Sequence, residues 1–352
     1  MLKVICTLIG TFIGAGFASG KEIYLFFFKY QVYGILGIIV SAIFIGYIIY
    51  KVLNISKKNN IYNYNEFLNY LIKNKLIKII LINIIDVFLI ISFCIMVSGF
   101  SAFIYQEFNI NIIIGFIFML MCSYCAFKRK ATGIIKINNI LIPIIIFIIF
   151  FIVIKKVNLY ELNFINGLNG EMFNINNFIN NCKIENFKFF IFSILYANYN
   201  LLTIIPIVVT MSNVTKNKKE IKYSSIICSL IIFILSMSIF AILSQSNFNV
   251  SNLEMPVVFI VGRYGIFYKY IYCLVVGIAI FTTAISVGYG YLQNYENNKE
   301  KYNKKIILLI LCSIIAIPIG FSRLIELLYP IFGGIGLVQS LYVIKKKRKD
   351  IF

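Results

Sequence analysis

The chain has 352 residues, 61% of them hydrophobic, a mean hydropathy of +0.90 and a net charge of +20. Histidine is absent, which removes the usual general base near neutral pH, the commonest zinc ligand and the Ser-His and Cys-His dyads, so an enzyme is not expected. The basic residues are dispersed among loops between apolar runs, which argues against nucleic acid as a partner.

Apolar runs of about 20 residues, the length of one bilayer crossing, recur near 4–28, 33–53, 78–106, 110–127, 134–154, 187–211, 221–243, 266–293, 305–321 and 324–344. They predict an all-α polytopic membrane protein of about ten transmembrane helices, a single domain whose first partner is the lipid bilayer. No charged leader with a cleavage site precedes the first run, which therefore reads as a retained helix. With the N-terminus inside, most of the 33 basic residues fall on the cytoplasmic side, among them Lys51, Lys57, Lys58, Lys73, Lys216, Lys304 and the cluster 345–349. An even number of crossings returns both termini to the cytoplasm.

The first run is interrupted by Gly14-Ala15-Gly16-Phe17-Ala18-Ser19-Gly20-Lys21-Glu22. Backbone that leaves the helical form at membrane depth strands polar groups, and it persists only where protein or a water-filled cavity receives them. The run would restart as a half-helix with Ser19 as N-cap and Glu22 three positions later, a capping box; Glu22 is alternatively a proton-coupling group. The N–H groups of Phe17, Ala18 and Ser19 are candidates for a substrate carboxylate. Close packing of the small-xxx-small kind is the competing reading for Gly10, Gly14, Gly16 and Gly20.

Further along, Asp86 in the third run is either a proton site or an anchor reaching the interface. Cys122-x-x-Cys125 is the one close pair among eight scattered cysteines, and without a second pair no disulfide framework or metal centre is expected. Residues 155–186 are Asn-rich and predict a short surface helix near 174–181. The sixth run breaks at Ala197-Asn198-Tyr199-Asn200, with Pro206 beyond, and Asn198, Tyr199 and Asn200 are candidates for hydrogen-bonding a polar solute. Their competing reading is an Asn-rich chain at a helix kink. Residues 244–265 hold Pro256 and a short apolar piece, Val257 to Val261, suited to a capping or re-entrant element. In the eighth run, Thr282, Thr283 and Ser286 offer hydroxyls that either bond their own i−4 carbonyls or, with carbonyls at Ile13 to Gly16, form a sodium site.

Counted in fives, the first and sixth runs are interrupted while the third and eighth are unusually long. Two halves with an odd number of crossings must be inverted relative to one another, with repeat one near 1–155 and repeat two near 187–344. Paired interruptions in matching positions are the sequence pointer to a transporter's central site.

The string Ile-Gly-Ala-Gly-Phe-Ala-Ser-Gly-Lys-Glu-Ile at 13–23, followed by Phe-Phe and Tyr33-Gly34, resembles the opening of the bacterial YkvI-like membrane proteins. By similarity these fall in the amino acid-polyamine-organocation superfamily, with the LeuT-type 5+5 inverted repeat and helices 1 and 6 broken. The resemblance implies that Gly14, Ala15, Gly16 and Phe17 bind the carboxylate and amine of a substrate. It also implies that Thr282 and Thr283 mark a cation site. The Ala-Ser-Gly-Lys-Glu string departs from the better-known members. The expected function is a secondary transporter in the bacterial cytoplasmic membrane for a small organic solute, an amino acid or relative, coupled to sodium or protons and needing no other cofactor. The competing expectation is a solute sensor on the same fold, similar to the membrane subunits of spore germinant receptors, without net transport. No protein partner is named by the sequence.

Overall fold

The computed structural model describes residues 1–156, 184–245, 253–295, 298–316 and 320–346. The surface helix expected near 174–181 lies outside them. The described elements are all helical: α1 (Leu2–Phe12), α2 (Ala15–Ser19), α3 (Lys21–Phe26), α4 (Val32–Lys58), α5 (Tyr64–Leu71), α6 (Lys75–Phe108), α7 (Ile112–Lys128), α8 (Lys130–Lys156), α9 (Ile184–Met211), α10 (Lys218–Ser244), α11 (Pro256–Gly262), α12 (Ile266–Leu292), α13 (Lys299–Ala316) and α14 (Phe321–Lys345), with short 3-10 turns at 28–30 and 293–295. Among the described residues six helices, α4, α6, α9, α10, α12 and α14, are long and apolar enough to cross a membrane. Leu2–Phe12, Ile112–Lys128 and Ile140–Lys155 are shorter apolar helices.

The asparagines that crowd the loops start helices. Asn63, Asn74, Asn111 and Asn217 are N-caps whose side chains accept from backbone N–H groups at the starts of α5, α6, α7 and α10. At α10 the cap is reciprocal, because the Glu220 carboxylate accepts from the N–H of Lys216.

In the bundle α9 packs on α4 and α14, α6 on α12, and α4 on α10. Glycines set the closest approaches. On α14, a Cβ at Gly333 would lie 2.9 Å from the Leu195 Cα, and one at Gly336 would lie 2.8 Å from the carbonyl carbon of Asn198. Where α4 meets α10, the Ser229 hydroxyl donates to the Ala42 carbonyl at 2.8 Å. The first and last described residues lie at one end of the bundle: Met1 pairs with Glu220, Lys51 donates to the Ile344 carbonyl, and Lys346 donates to the Tyr70 carbonyl.

The first run is broken as the sequence predicts, whereas the sixth is not. α9 runs unbroken through Ala197–Asn200 and through Pro206. The amides of Asn198 and Asn200 donate to the carbonyls of Ile194 and Tyr196, at 2.8 and 3.0 Å, so these side chains bond to their own preceding turns. The Ser19 capping box is also absent. Helix resumes at Ala15 as α2, and α3 then starts from Gly20, whose φ of 82° is a left-handed conformation suited to glycine. The Ser19 hydroxyl closes a local turn, donating to Gly16 and accepting from the N–H of Lys21.

Glycine 336 gives a controlled test of the α9–α14 seam. Gly336→Ala is expected to cost about 1–3 kcal/mol through overpacking, read as a lower Tm in detergent. Gly334→Ala, whose Cβ would meet nothing within 4 Å, should leave Tm unchanged or raise it.

Candidate functional site

The site is built around the interruption between α1 and α2. Ile13 leaves the helix at φ −76°, ψ 89°, and Gly14 is extended at φ −97°, ψ −179°. Helix α12 receives what the break exposes. The Thr283 hydroxyl donates to the Ile13 carbonyl at 2.9 Å, and the Tyr272 hydroxyl donates to the Ala18 carbonyl at 2.7 Å. Two hydroxyls on one helix thus hold both ends of the broken segment, each bond replacing one that continuous helix would have made.

Glu22 lies opposite, on α3. It is 3% exposed, and its carboxylate accepts from the Tyr199 hydroxyl of α9 and from the backbone N–H of Phe17. The carboxyl folds over Gly16 so closely that a Cβ there would lie 2.6 Å from the Glu22 Cγ. The absent side chain at position 16 is therefore the space in which Glu22 sits. An aromatic cluster surrounds the pair. Tyr199 stacks on Tyr329 at 4.5 Å between centroids and on Phe26 at 5.8 Å, while Tyr196 meets Phe27 at 4.7 Å.

These contacts sort the residues singled out by sequence. Gly14, Ala15, Gly16, Phe17, Ala18 and Ser19 are all buried at the break. The Phe17 N–H offered for a substrate carboxylate is taken by Glu22, and that of Ala18 by the Gly14 carbonyl at 2.9 Å. Of Asn198, Tyr199 and Asn200, Tyr199 alone makes a side-chain bond to the break; successive residues on a helix point about 100° apart. Of the hydroxyl set, Thr283 reaches Ile13, whereas Thr282 bonds Ile278 and Ala279 and Ser286 bonds Thr282 within their own helix.

The two sides of the break differ. Toward the chain termini a cavity opens among α1, α5, α6, α9 and α12, with Thr11, Asp86, Thr203 and Ser286 in its lining. Thr203 is one turn from Tyr199 on α9, so the cavity ends just beneath the Glu22–Tyr199 contact. On the other side polar links gather beside a second cavity lined by Ser98, Ser101, Gln106, Leu253 and Glu254. Lys21, 1% exposed, donates to the Leu253 carbonyl at 3.3 Å and faces Glu326 at 3.9 Å. Glu254 accepts from the Ser322 N–H and hydroxyl, Gln106 accepts from the Met255 N–H, and Lys269 pairs with Glu107 at 3.0 Å. The short helix α11 caps the same face; a Cβ on Gly20 would strike Val257.

Sequence reasoning placed a capping element at Val257 to Val261, where α11 lies, but missed its polar partners and the α14 glycines. The Gly333-Gly334-x-Gly336 run was a signal for the latter, whereas Gln106, Glu107 and Ser322 carry no local signature. It also missed Tyr272, whose partner is 254 residues away.

Thr283→Val removes a buried donor and leaves the Ile13 carbonyl unpaired. It is expected to cost about 1–3 kcal/mol in thermal unfolding of the purified protein. Thr282→Val removes only bonds to its own helix and should stay within about 0.5 kcal/mol.

No family model matches the chain. It is similar to two proteins of Bacillus subtilis strain 168. One is described as the uncharacterized membrane protein YkvI, 26% identical over 94% of this chain and 91% of the relative. The other is the uncharacterized protein YyaD, 25% identical over 96% of this chain and 94% of the relative. Together with the six long apolar helices, these likenesses identify a multi-pass membrane protein.

Proposed function

We propose that this protein is a secondary active transporter that moves a small organic solute by alternating access, with its central site at the break between α1 and α2. The observation that carries the reading is the break itself, held at both ends by hydroxyls of α12 and approached by a cavity from the side of Thr11 and Asp86. A second cavity lies among Ser98, Ser101 and Glu254 on the other side, where polar links around Lys21 and Glu254 gather. A carrier must present one site to each side in turn, and a broken helix at that site is the usual means.

Ten crossings arranged as two inverted five-helix halves, near 1–155 and 187–344, complete the architecture. Helices at matching positions of the two halves pack against one another: α1 with α9, α4 with α10, α6 with α12. Pairing of the helices nearest the centre is what a two-fold relation between the halves would give, and it tolerates an unbroken α9. Both termini and the cavity mouth face the cytoplasm of a bacterial cell, because Lys51, Lys73, Lys305, Lys345 and Lys346 gather at that end. Coupling is to sodium at Ile13, Gly16, Thr283 and neighbouring hydroxyls, or to protons at Glu22 and Asp86.

Uptake of a radiolabelled mixture of amino acids and amines into proteoliposomes under imposed sodium or proton gradients tests the reading. Gradient-driven accumulation is expected, with none in Gly16→Val, where the new side chain must expel Glu22. If sodium drives it, Thr283→Ala should weaken sodium stimulation more than solute affinity. Ligand-induced thermal stabilisation without flux would favour a solute-sensing receptor subunit on the same fold.

A further inference from the structure

Away from the break, α4 and α10 meet along an outward-facing cleft of about 810 Å³. Its floor is set by close approach of the two helices. A Cβ on Gly46 would lie 2.6 Å from the Ser229 Cβ, and the Ser229 hydroxyl donates to the Ala42 carbonyl. Beside this floor larger side chains stand apart and exposed: Ile43 and Tyr47 on α4, Ile226 and Leu230 on α10. Both helices are long and apolar enough to cross a membrane. An exposed apolar cleft at that depth meets either lipid or another membrane-embedded chain.

Length and charge choose between these. The lining runs from Ile39 to Tyr50 on α4 and from Phe233 back to Lys222 on α10. Each stretch is about 16 Å long at the rise of an α-helix, close to the ~15 Å of hydrocarbon in one leaflet. One end of the cleft is purely apolar, whereas the other holds Tyr50 and Lys222, the one charged side chain in the lining. Tyrosine and lysine mark the level of lipid headgroups. The same end of the bundle is basic: Lys218 and Lys219 share the start of α10 with Lys222, and the Lys51 Nζ lies 5.6 Å from the centre of the Tyr47 ring. The acid among them, Glu220, is taken by the Met1 amino group and the Lys216 N–H. Among the described residues no carboxylate pairs with Lys222. A second copy of the chain, seated here about a two-fold axis along the membrane normal, would bring these lysines toward their like. An anionic headgroup meets them with the opposite charge.

We propose that the cleft between α4 and α10 is a binding site for one anionic phospholipid, with an acyl chain laid along it from Tyr50 toward Ile39 and the phosphate at Lys222. The bound lipid fills the gap above the Gly46–Ser229 contact and ties the two helices together. This site is separate from the break at Ile13 and Gly14, and the proposal does not rest on the transport reading.

The test uses the full-length protein in detergent, titrated with dioleoyl phosphatidylglycerol or dioleoyl phosphatidylcholine and followed by native mass spectrometry, so that two headgroups are compared on identical chains. The first phosphatidylglycerol should bind about 5-fold or more tightly than the first phosphatidylcholine. Lys222→Gln, at an exposed position, should remove most of that preference. Phosphatidylglycerol carrying a diazirine on its acyl chain, photolysed with the wild-type protein, should label peptides from 39–50 or 222–233. Unlabelled phosphatidylglycerol should compete for that labelling better than phosphatidylcholine. Equal affinity for the two lipids, an unchanged preference in Lys222→Gln, or labelling confined to other peptides would each overturn the proposal. So would a dimer whose copies cross-link through cysteines introduced at Ile43 or Leu230. Photolabelling of the wild-type protein decides the matter even where a variant does not fold. None of these measurements reads flux: a cleft that ignores headgroup charge would leave the transport reading standing, and a phosphatidylglycerol site in a protein that moves no solute would leave this inference standing.

Discussion

A membrane helix that stops at Ile13 and resumes at Ala15 must find partners for the backbone groups it exposes, and the architecture around it meets that demand. In lipid each orphaned carbonyl or amide costs several kcal/mol. Here Thr283 takes the carbonyl of Ile13, Tyr272 that of Ala18, and Glu22 the amide of Phe17. Each partner comes from an element that must then stay close, which explains why α12 is packed deep in the bundle and why α3 folds back over Gly16. An ordinary net hydrogen bond contributes about 0.5–1.5 kcal/mol, so the arrangement is held by a few weak links and is suited to being remade.

The two sides of the break also differ in character. Above it the links are polar and draw on five separated stretches of chain: Lys21, the end of α6, the segment leading into α11, and the starts of α12 and α14. Below it the cavity is lined by threonine, serine, tyrosine, amide and aliphatic side chains with one carboxylate. Between the two sides lies the aromatic cluster centred on Tyr196 and Tyr199, which supplies buried apolar area beside Glu22.

Much of this was legible in the residue order, and the limits have identifiable causes. Glycines and a Lys-Glu pair inside an apolar run announce a break because lipid forbids it elsewhere, so the location of the site is readable. Which hydroxyl of Thr282 and Thr283 serves the break is not, because the choice depends on how α12 is rotated against α1. The asparagines of the sixth run look like a second break, yet an amide side chain can equally bond its own preceding turn, and that is what Asn198 and Asn200 do. Ser19 and Glu22 fit a capping box by spacing, but the backbone turns left-handed at Gly20 and leaves the carboxyl free to reach Tyr199, 177 residues away. Local patterns marked where the chain departs from regular helix; the partners that receive those departures lie on distant elements.

The most direct test of a broken-helix carrier is whether its two faces open in opposition. Spin labels at Asn65 and Gln293 span the mouth of the cavity, and labels at Tyr105 and Arg323 span the opposite face; distances for both pairs would be measured in lipid, with and without a transported solute under its driving ion. Reciprocal changes, one distance lengthening as the other shortens, are expected. Two distances that stay fixed or move together would contradict alternating access through the break at Ile13 and Gly14.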